Sequence, residues 1–122
     1  MDRLVDRLTT APISLPGALL EALDIIVFIV RIKYGSSYVR RISSVYEIIG
    51  FDREKNIPIT NEVFRWNAAD DKYDNINPSV VLKKISMQYG VQEAFLINEI
   101  NQRVKVLDWF ASTNMTDRKS VV

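Results

Sequence analysis

Between Asp24 and Phe51 the chain reads DIIVFIVRIKYGSSYVRRISSVYEIIGF, and no other stretch constrains the fold as much. Ile25 to Val30 is continuously apolar and mostly β-branched, which suits a strand covered on both faces. From Arg31 onward (Arg-Ile-Lys-Tyr) one face turns polar. Gly35-Ser36-Ser37 is a turn signal, because Gly supplies the positive φ that a tight hairpin needs. The return run, Tyr38 to Ile49, sets Ile42, Tyr46 and Ile48 on one side and Arg41, Ser43 and Glu47 on the other. The expectation is a hairpin with one end in a core and a wet, basic tip.

Composition excludes more than it suggests. The chain has 122 residues, one modest domain spanning 1–122. It contains no His, which removes the commonest general base, the commonest zinc ligand and every Ser-His or Cys-His pairing. It contains no Cys, so disulfides and thiolate metal sites are excluded. Net charge is +1, without the basic excess of a protein that neutralises nucleic-acid phosphates. The N-terminus, Met-Asp-Arg-Leu-Val-Asp-Arg-Leu, is charged throughout and does not read as a signal peptide. The apolar run Ile25–Val30 is far short of the ~20 residues of a membrane span. The chain is therefore expected to be soluble, reaching a membrane only through a partner.

Around the hairpin the periodicities are short. Leu4, Val5 and Leu8 mark a small amphipathic helix over Asp2 to Thr9, stopped before Pro12. A second helix is expected from Ser14 or Leu15 as cap, through Pro16, to about Ala22. Asp52 to Asn56 is a charged turn. Asn61 to Asn67 (NEVFRWN) alternates and reads as a third strand, antiparallel to Tyr38–Ile49. Ala68 to Asn77 reads as a polar, acidic loop. Asn77 is the expected cap of a helix that starts at Pro78, carries Val81, Leu82, Ile85 and Tyr89, and ends at Gly90. A longer helix over Val91 to Ala111 has Leu96, Ile100, Val104, Leu107 and Ala111 as its stripe, with Phe95 and Trp109 flanking. These two helices form an αα-hairpin able to cover one sheet face. The last residues, Asn114 to Val122, resemble a helix start capped by Thr116 whose apolar stripe stops at Val121-Val122, as if cut.

No constellation carries chemistry. None of Gly17, Gly35, Gly50 and Gly90 opens a phosphate-binding loop. Asp52, Glu54, Asp70, Asp71 and Asp74 lack the spacing of a calcium loop and read as a solvated acidic surface. Arg31, Lys33, Arg40 and Arg41 concentrate positive charge near the hairpin tip. They suit edge protection, contact with a neighbouring subunit or its nucleotide, or nucleic acid. Trp66 and Trp109 read as core anchors.

The order RLTTAPISLP, ALLEALDIIVFIVRI, VRRISSVYEIIGFD, NEVFRWN, VLKKISMQYG, RVKVLDWF resembles one family across nearly the whole chain. It is similar to the C-terminal part of archaeal type II/type IV secretion, pilus and archaellum assembly ATPases. The most specific pieces are Arg7 to Ile13, Val39 to Gly50 and Val63 to Trp66.

That resemblance implies an α+β fold: short N-terminal helices, a three-stranded antiparallel sheet built on the hairpin, and the C-terminal αα-hairpin. It implies the C-terminal portion of a RecA-like motor domain whose Walker A, Walker B and histidine box are absent here. It implies a structural or coupling part of a hexameric motor, inactive alone, with ATP and Mg bound by the parent motor and no cofactor in this chain. The implied partners are the rest of the motor, neighbouring subunits and a membrane platform protein, at the cytoplasmic face of the membrane, and not nucleic acid. Arg40 and Arg41 are the candidate subunit contacts. The alternative is a stand-alone protein- or nucleic-acid-binding α+β module. As a fragment, the chain supplies few layers to cover both faces of Ile25–Val30, so the strand is expected to expose an apolar edge or satisfy it against another copy.

Overall fold

Gly35 and Ser36 form a two-residue turn between β1 (Ile25–Tyr34) and β2 (Ser37–Asp52). Gly35 sits at φ +64°, a conformation that glycine adopts without steric cost. The computed structural model describes residues 1–10 and 16–113. Before the hairpin lie α1 (Asp2–Thr9) and a 3-10 helix (Gly17–Ala22); after it come β3 (Ile57–Asn67), β4 (Lys72–Asn75), α2 (Val80–Tyr89) and α3 (Glu93–Ser112). The chain divides into two compact units, Met1–Val81 and Leu82–Val122.

The first unit holds one antiparallel sheet in the order β1-β2-β3-β4. This corrects the expected three strands. β4 (KYDN) continues the sheet by pairing Lys72–Asn75 with Phe64–Asn67. Four residues with Tyr73 as the lone strand former carry no readable alternation, so the segment looks like loop in the sequence. The turn before it is held by side chains: Asn67 Oδ1 accepts from the Ala69 N–H (3.0 Å) and Asp70 Oδ1 from the Lys72 N–H (3.2 Å). The expected RecA-like portion is corrected as well. Every strand pairing among the described residues is antiparallel, with no sign of a parallel RecA-type core. The second N-terminal helix is a 3-10 helix, not an α-helix, and its expected cap, Ser14 or Leu15, lies outside the described residues. So do Ile13 at the end of the Arg7–Ile13 motif and the C-terminal segment capped by Thr116.

Two irregularities in β2 decide which side chains share a face. The pairing slips between Phe28 and Ile29, where Ser44 faces Phe28 but Ile42 faces Ile29, and again between Ile48 and Gly50. A bulge inserts one residue and swaps the faces beyond it. Ile42 therefore lies on the opposite face from Tyr46, and Glu47 on the opposite face from Arg41, correcting the simple alternation read from the sequence. A further slip in the β2–β3 pairing, between Val45 and Tyr46, leaves Val63 of β3 without a Cα partner.

The buried set is small. Among the described residues it comprises Leu20 of the 3-10 helix, Glu47 and Ile48 of β2, and Pro58 and Val63 of β3. The 3-10 helix that carries Leu20 lies against β2 and β3, and the Ile48 N–H donates to the Asp24 carbonyl at 3.0 Å, tying the entry to β1 against β2. Pro58 is tolerated because β4 pairs only with the far end of β3, so that no ladder amide is required there.

Asn77 does not cap α2. Its side-chain amide donates to the Glu62 carbonyl (2.9 Å), and the helix begins at Val80. Gly90, at φ +65°, ends α2, and the Val91 N–H returns to the Ser86 carbonyl at 3.1 Å, the six-to-one bond of a Schellman motif. Neither α2 nor α3 has a buried residue. Of the expected stripes, Val81, Leu82, Ile85 and Leu96 are half-buried, and Tyr89, Ile100, Val104, Leu107 and Ala111 are exposed.

Candidate functional site

The hairpin tip is the best candidate for function, because it gathers charge on a rigid two-stranded base. Arg31, Lys33, Arg40 and Arg41 all reach it, yet the structure splits them into two sets. Arg31 faces Arg40 directly across the β1–β2 ladder. Like charges so placed repel, and no acidic side chain pairs with either among the described residues. Arg31 instead lies over the Tyr38 ring, 4.4 Å from its centroid. Arg40 is exposed and its guanidinium is left to solvent.

Arg41 belongs to the other set. Its Nε and Nη2 donate to the two oxygens of Asp71 at 2.9 and 3.0 Å, a two-pronged pairing that matches the planar guanidinium to the carboxylate. Trp66 Nε1 donates to Asp71 Oδ1 at 2.8 Å. Asp71 occupies the β3–β4 turn at φ +52°, a left-handed conformation that Asp tolerates better than most residues. The Arg41 bond, and then the Trp66 bond, hold the Asp71 carboxyl down at about 2. An open depression of about 470 Å³ lies beside this cluster, lined by Lys33, Tyr34, Trp66 and Asp70 among others. Its chemistry is mixed and no nucleophile–base pair is present in it.

Of the two expected contact residues, then, Arg40 is available and Arg41 is engaged inside its own chain. Trp66 is a half-buried brace of the β3–β4 turn. Trp109 is not a core anchor: it is exposed and stacks edge-on against Phe110, with centroids 5.3 Å apart. The acidic residues do not gather. Asp52 Oδ1 accepts from the Glu54 and Lys55 N–H groups, and no cluster of three or more metal-ligating side chains occurs among the described residues.

A second polar group lies farther down the sheet. Tyr46 donates to Glu62 Oε2 at 2.9 Å, and Arg65 donates to both Glu62 oxygens at 2.5 and 2.9 Å. The Arg65 bond lowers the Glu62 carboxyl, while desolvation, reinforced by Glu62, raises the Tyr46 phenol.

Glu47 is the residue that sequence reasoning missed. It is 2% exposed, and its Oε2 accepts the Val81 N–H at 2.8 Å. Val81 lies in the first turn of α2, where backbone amides lack partners within the helix and a carboxylate is favourable. Asn61 donates to the Pro78 carbonyl (2.9 Å) and the Ile76 N–H donates to the Val63 carbonyl (2.8 Å). The segment from Ile76 to Val81 is thereby stitched to the sheet. The one sequence signal was a lone Glu between Tyr46 and Ile48-Ile49, within an otherwise apolar strand end.

No family model matches the chain. It is similar to three proteins of Methanocaldococcus jannaschii. It is 34% identical to the uncharacterized protein MJ1287 over 106 residues, which is 87% of this chain and 39% of that one. It is 26% identical to the uncharacterized protein MJ0900 over 119 residues, 94% of this chain and 22% of that one. It is 23% identical to the uncharacterized protein MJ0781 over 120 residues, 98% of this chain and 17% of that one. The chain thus spans less than two-fifths of the length of each of these relatives.

Proposed function

We propose that this chain is a structural and coupling part of a larger ATP-driven assembly motor, of the archaeal secretion, pilus or archaellum type, and is catalytically silent by itself. The assignment to that class rests on the resemblance carried by Arg7–Ile13, Val39–Gly50 and Val63–Trp66. The observation in the structure that supports a part within a larger assembly is α3, twenty residues rich in apolar side chains with none of them buried. A helix with apolar residues on so much of its surface is stable in a partner's presence and costly in water. A similar sequence makes up a minor fraction of longer archaeal proteins, which is compatible with that reading.

In this proposal ATP and Mg are held by the rest of the motor, which works at the cytoplasmic face of the membrane with a platform protein. The antiparallel sheet is a rigid lever and not a nucleotide-binding core. Arg40 is the residue offered to a neighbouring subunit, since its cross-strand neighbour is also an arginine and no acidic side chain among the described residues pairs with it. Arg41 supports it by fixing the β3–β4 turn through Asp71.

Calorimetry of the purified chain with MgATP tests the first half: no heat of binding and no phosphate release are expected. A Mg-dependent ATPase activity of this chain overturns the proposal. For the second half, Arg40→Glu placed in the full-length motor is expected to weaken subunit association while Arg40→Lys retains it. Unchanged hexamer formation and ATPase rate in Arg40→Glu remove the contact role.

A further inference from the structure

The two edges of the sheet are unequal. β4 is four residues long and carries Lys72 and Asp74, features that blunt an edge. β1 is ten residues long and, among the described residues, pairs on one side only. Its Ile25, Val27 and Ile29 are 53%, 46% and 65% exposed, and Ile42, opposite Ile29, is exposed with them. Ile25–Val30 contains no charge, proline or glycine, a combination that free edges usually avoid. The direction of the backbone can also be read. The Ser43 hydroxyl donates to the Phe28 carbonyl at 3.2 Å, so that carbonyl points toward β2. Alternation along the strand then turns the amides and carbonyls of Ile25, Val27, Ile29 and Arg31 to the free edge.

We propose that the free edge of β1 pairs, antiparallel, with β1 of a second copy of this chain, joining two sheets into one across a two-fold axis. The charges choose both the occupant and the direction. Glu21 and Asp24 precede the apolar run and Arg31 and Lys33 follow it, all four exposed and none in an ion pair among the described residues. Antiparallel pairing sets the acidic end of each strand beside the basic end of the other. Parallel pairing stacks Arg31 on Arg31. A register centred on Phe28 overlaps Ile25 to Arg31 completely and sets Val27 of one copy against Ile29 of the other. Because the two-fold consumes both apolar edges and leaves only the β4 edges outside, assembly closes at two copies. The pairing does not rest on the motor reading: a two-fold contact and the head-to-tail contacts of a ring use different surfaces, and either can fail alone.

The test is the mass of the full chain in solution, by light scattering coupled to size exclusion across the micromolar range. A dimer is expected. Val27→Pro removes an amide that faces the free edge and leaves the ladder to β2 intact, so a monomer with an unchanged far-ultraviolet spectrum is expected. Arg31→Glu with Lys33→Glu makes both strand ends acidic. It is expected to raise the dimer dissociation constant by about tenfold at low salt, and by less at high salt. Should Val27→Pro not fold, the charge pair decides the question alone. A monomer at every concentration, an open-ended aggregate, or a dimer indifferent to Arg31→Glu/Lys33→Glu overturns the proposal.

Discussion

The centre of the β2–β3 pair and helix α3 are both rich in apolar residues, and they meet opposite fates. At the sheet centre Ile48 and Val63 are 5% exposed, and Glu47, next to Ile48 in the chain, is satisfied by the Val81 amide. Along α3 Phe95, Ile97, Ile100, Val104, Leu107 and Trp109 are all exposed. Local pattern cannot distinguish the two, since each has the period of its own secondary structure. What separates them is that the 3-10 helix lies against β2 and β3, while no side chain of α3 is buried. The 3-10 helix is only six residues long, and it covers little more than one patch of sheet. Apolar pattern marks where cover is wanted, and it does not say whether the cover is supplied.

The contrast breaks most decisively at Ile48. Ile48→Ala is expected to cost about 3 kcal/mol, because the deleted side chain is buried and few neighbours are available to close the cavity. Urea denaturation followed by far-ultraviolet circular dichroism measures it. A loss below about 1 kcal/mol would show that the centre of the sheet is no better packed than α3.

Glu47→Ala comes next, at about 2 kcal/mol, the cost of removing a charged acceptor from a buried amide. Glu47→Gln keeps an acceptor and is expected to lose about half as much. The discriminating readout is hydrogen exchange at the Val81 amide, which should accelerate in Glu47→Ala beyond what the lost stability explains. Equal protection in both variants would mean that the Glu47 bond does not hold the start of α2.

Leu107→Ala sharpens the other side of the comparison. The side chain is 66% exposed and Ala is the better helix former, so the change is expected within about 0.5 kcal/mol of neutral. If Leu107→Ala instead cost as much as Ile48→Ala, α3 would be covered in the folded state in solution and the distinction between the regions would fall.

These contrasts also explain what the sequence could convey. The tight turn at Gly35-Ser36, the helical period of Asp2–Thr9 and the stop at Gly90 each follow from local chemistry, and local chemistry is written in adjacent residues. β4 was hidden because KYDN pairs as a strand only where Phe64–Asn67 offers it a ladder. Glu47 was misplaced because a bulge near Ser43 swaps the faces of β2, and two adjacent serines give no warning of it. Trp109 reads as an anchor for a different reason: large aromatic side chains are usually covered, and this one is 54% exposed. At the candidate site, the basic character of the tip was readable, but the division into Arg41 bound to Asp71 and Arg40 left free was not, since Asp71 is thirty residues away from Arg41 in the chain.

The smallest effect is expected at Asp71, and it tests whether bonding alone can substitute for burial. Arg41 and Trp66 hold this carboxyl at about 2, against about 3.9 for an unperturbed Asp. A folded value below the unfolded one contributes stability that is complete above the unfolded value and is lost as pH falls through the folded one. The window therefore opens just below pH 4 and closes near 2, and the cluster contributes fully at neutral pH. Both partners are accessible to water, which screens the pairing, so the gain is small despite three good hydrogen bonds. A carbon-detected titration of the Asp71 carboxyl should give the low midpoint, and the Trp66 indole N–H shift should move with it. Asp71→Asn should flatten this part of the acid limb and leave the neutral-pH fold intact. An Asp71 midpoint at the ordinary carboxylate value would mean that the β3–β4 turn is not tied to Arg41, and that the tip is as basic as its four cationic residues. With the low midpoint, the Asp71 carboxylate stays charged against Arg41, and the tip's free charge rests on Arg31, Lys33 and Arg40.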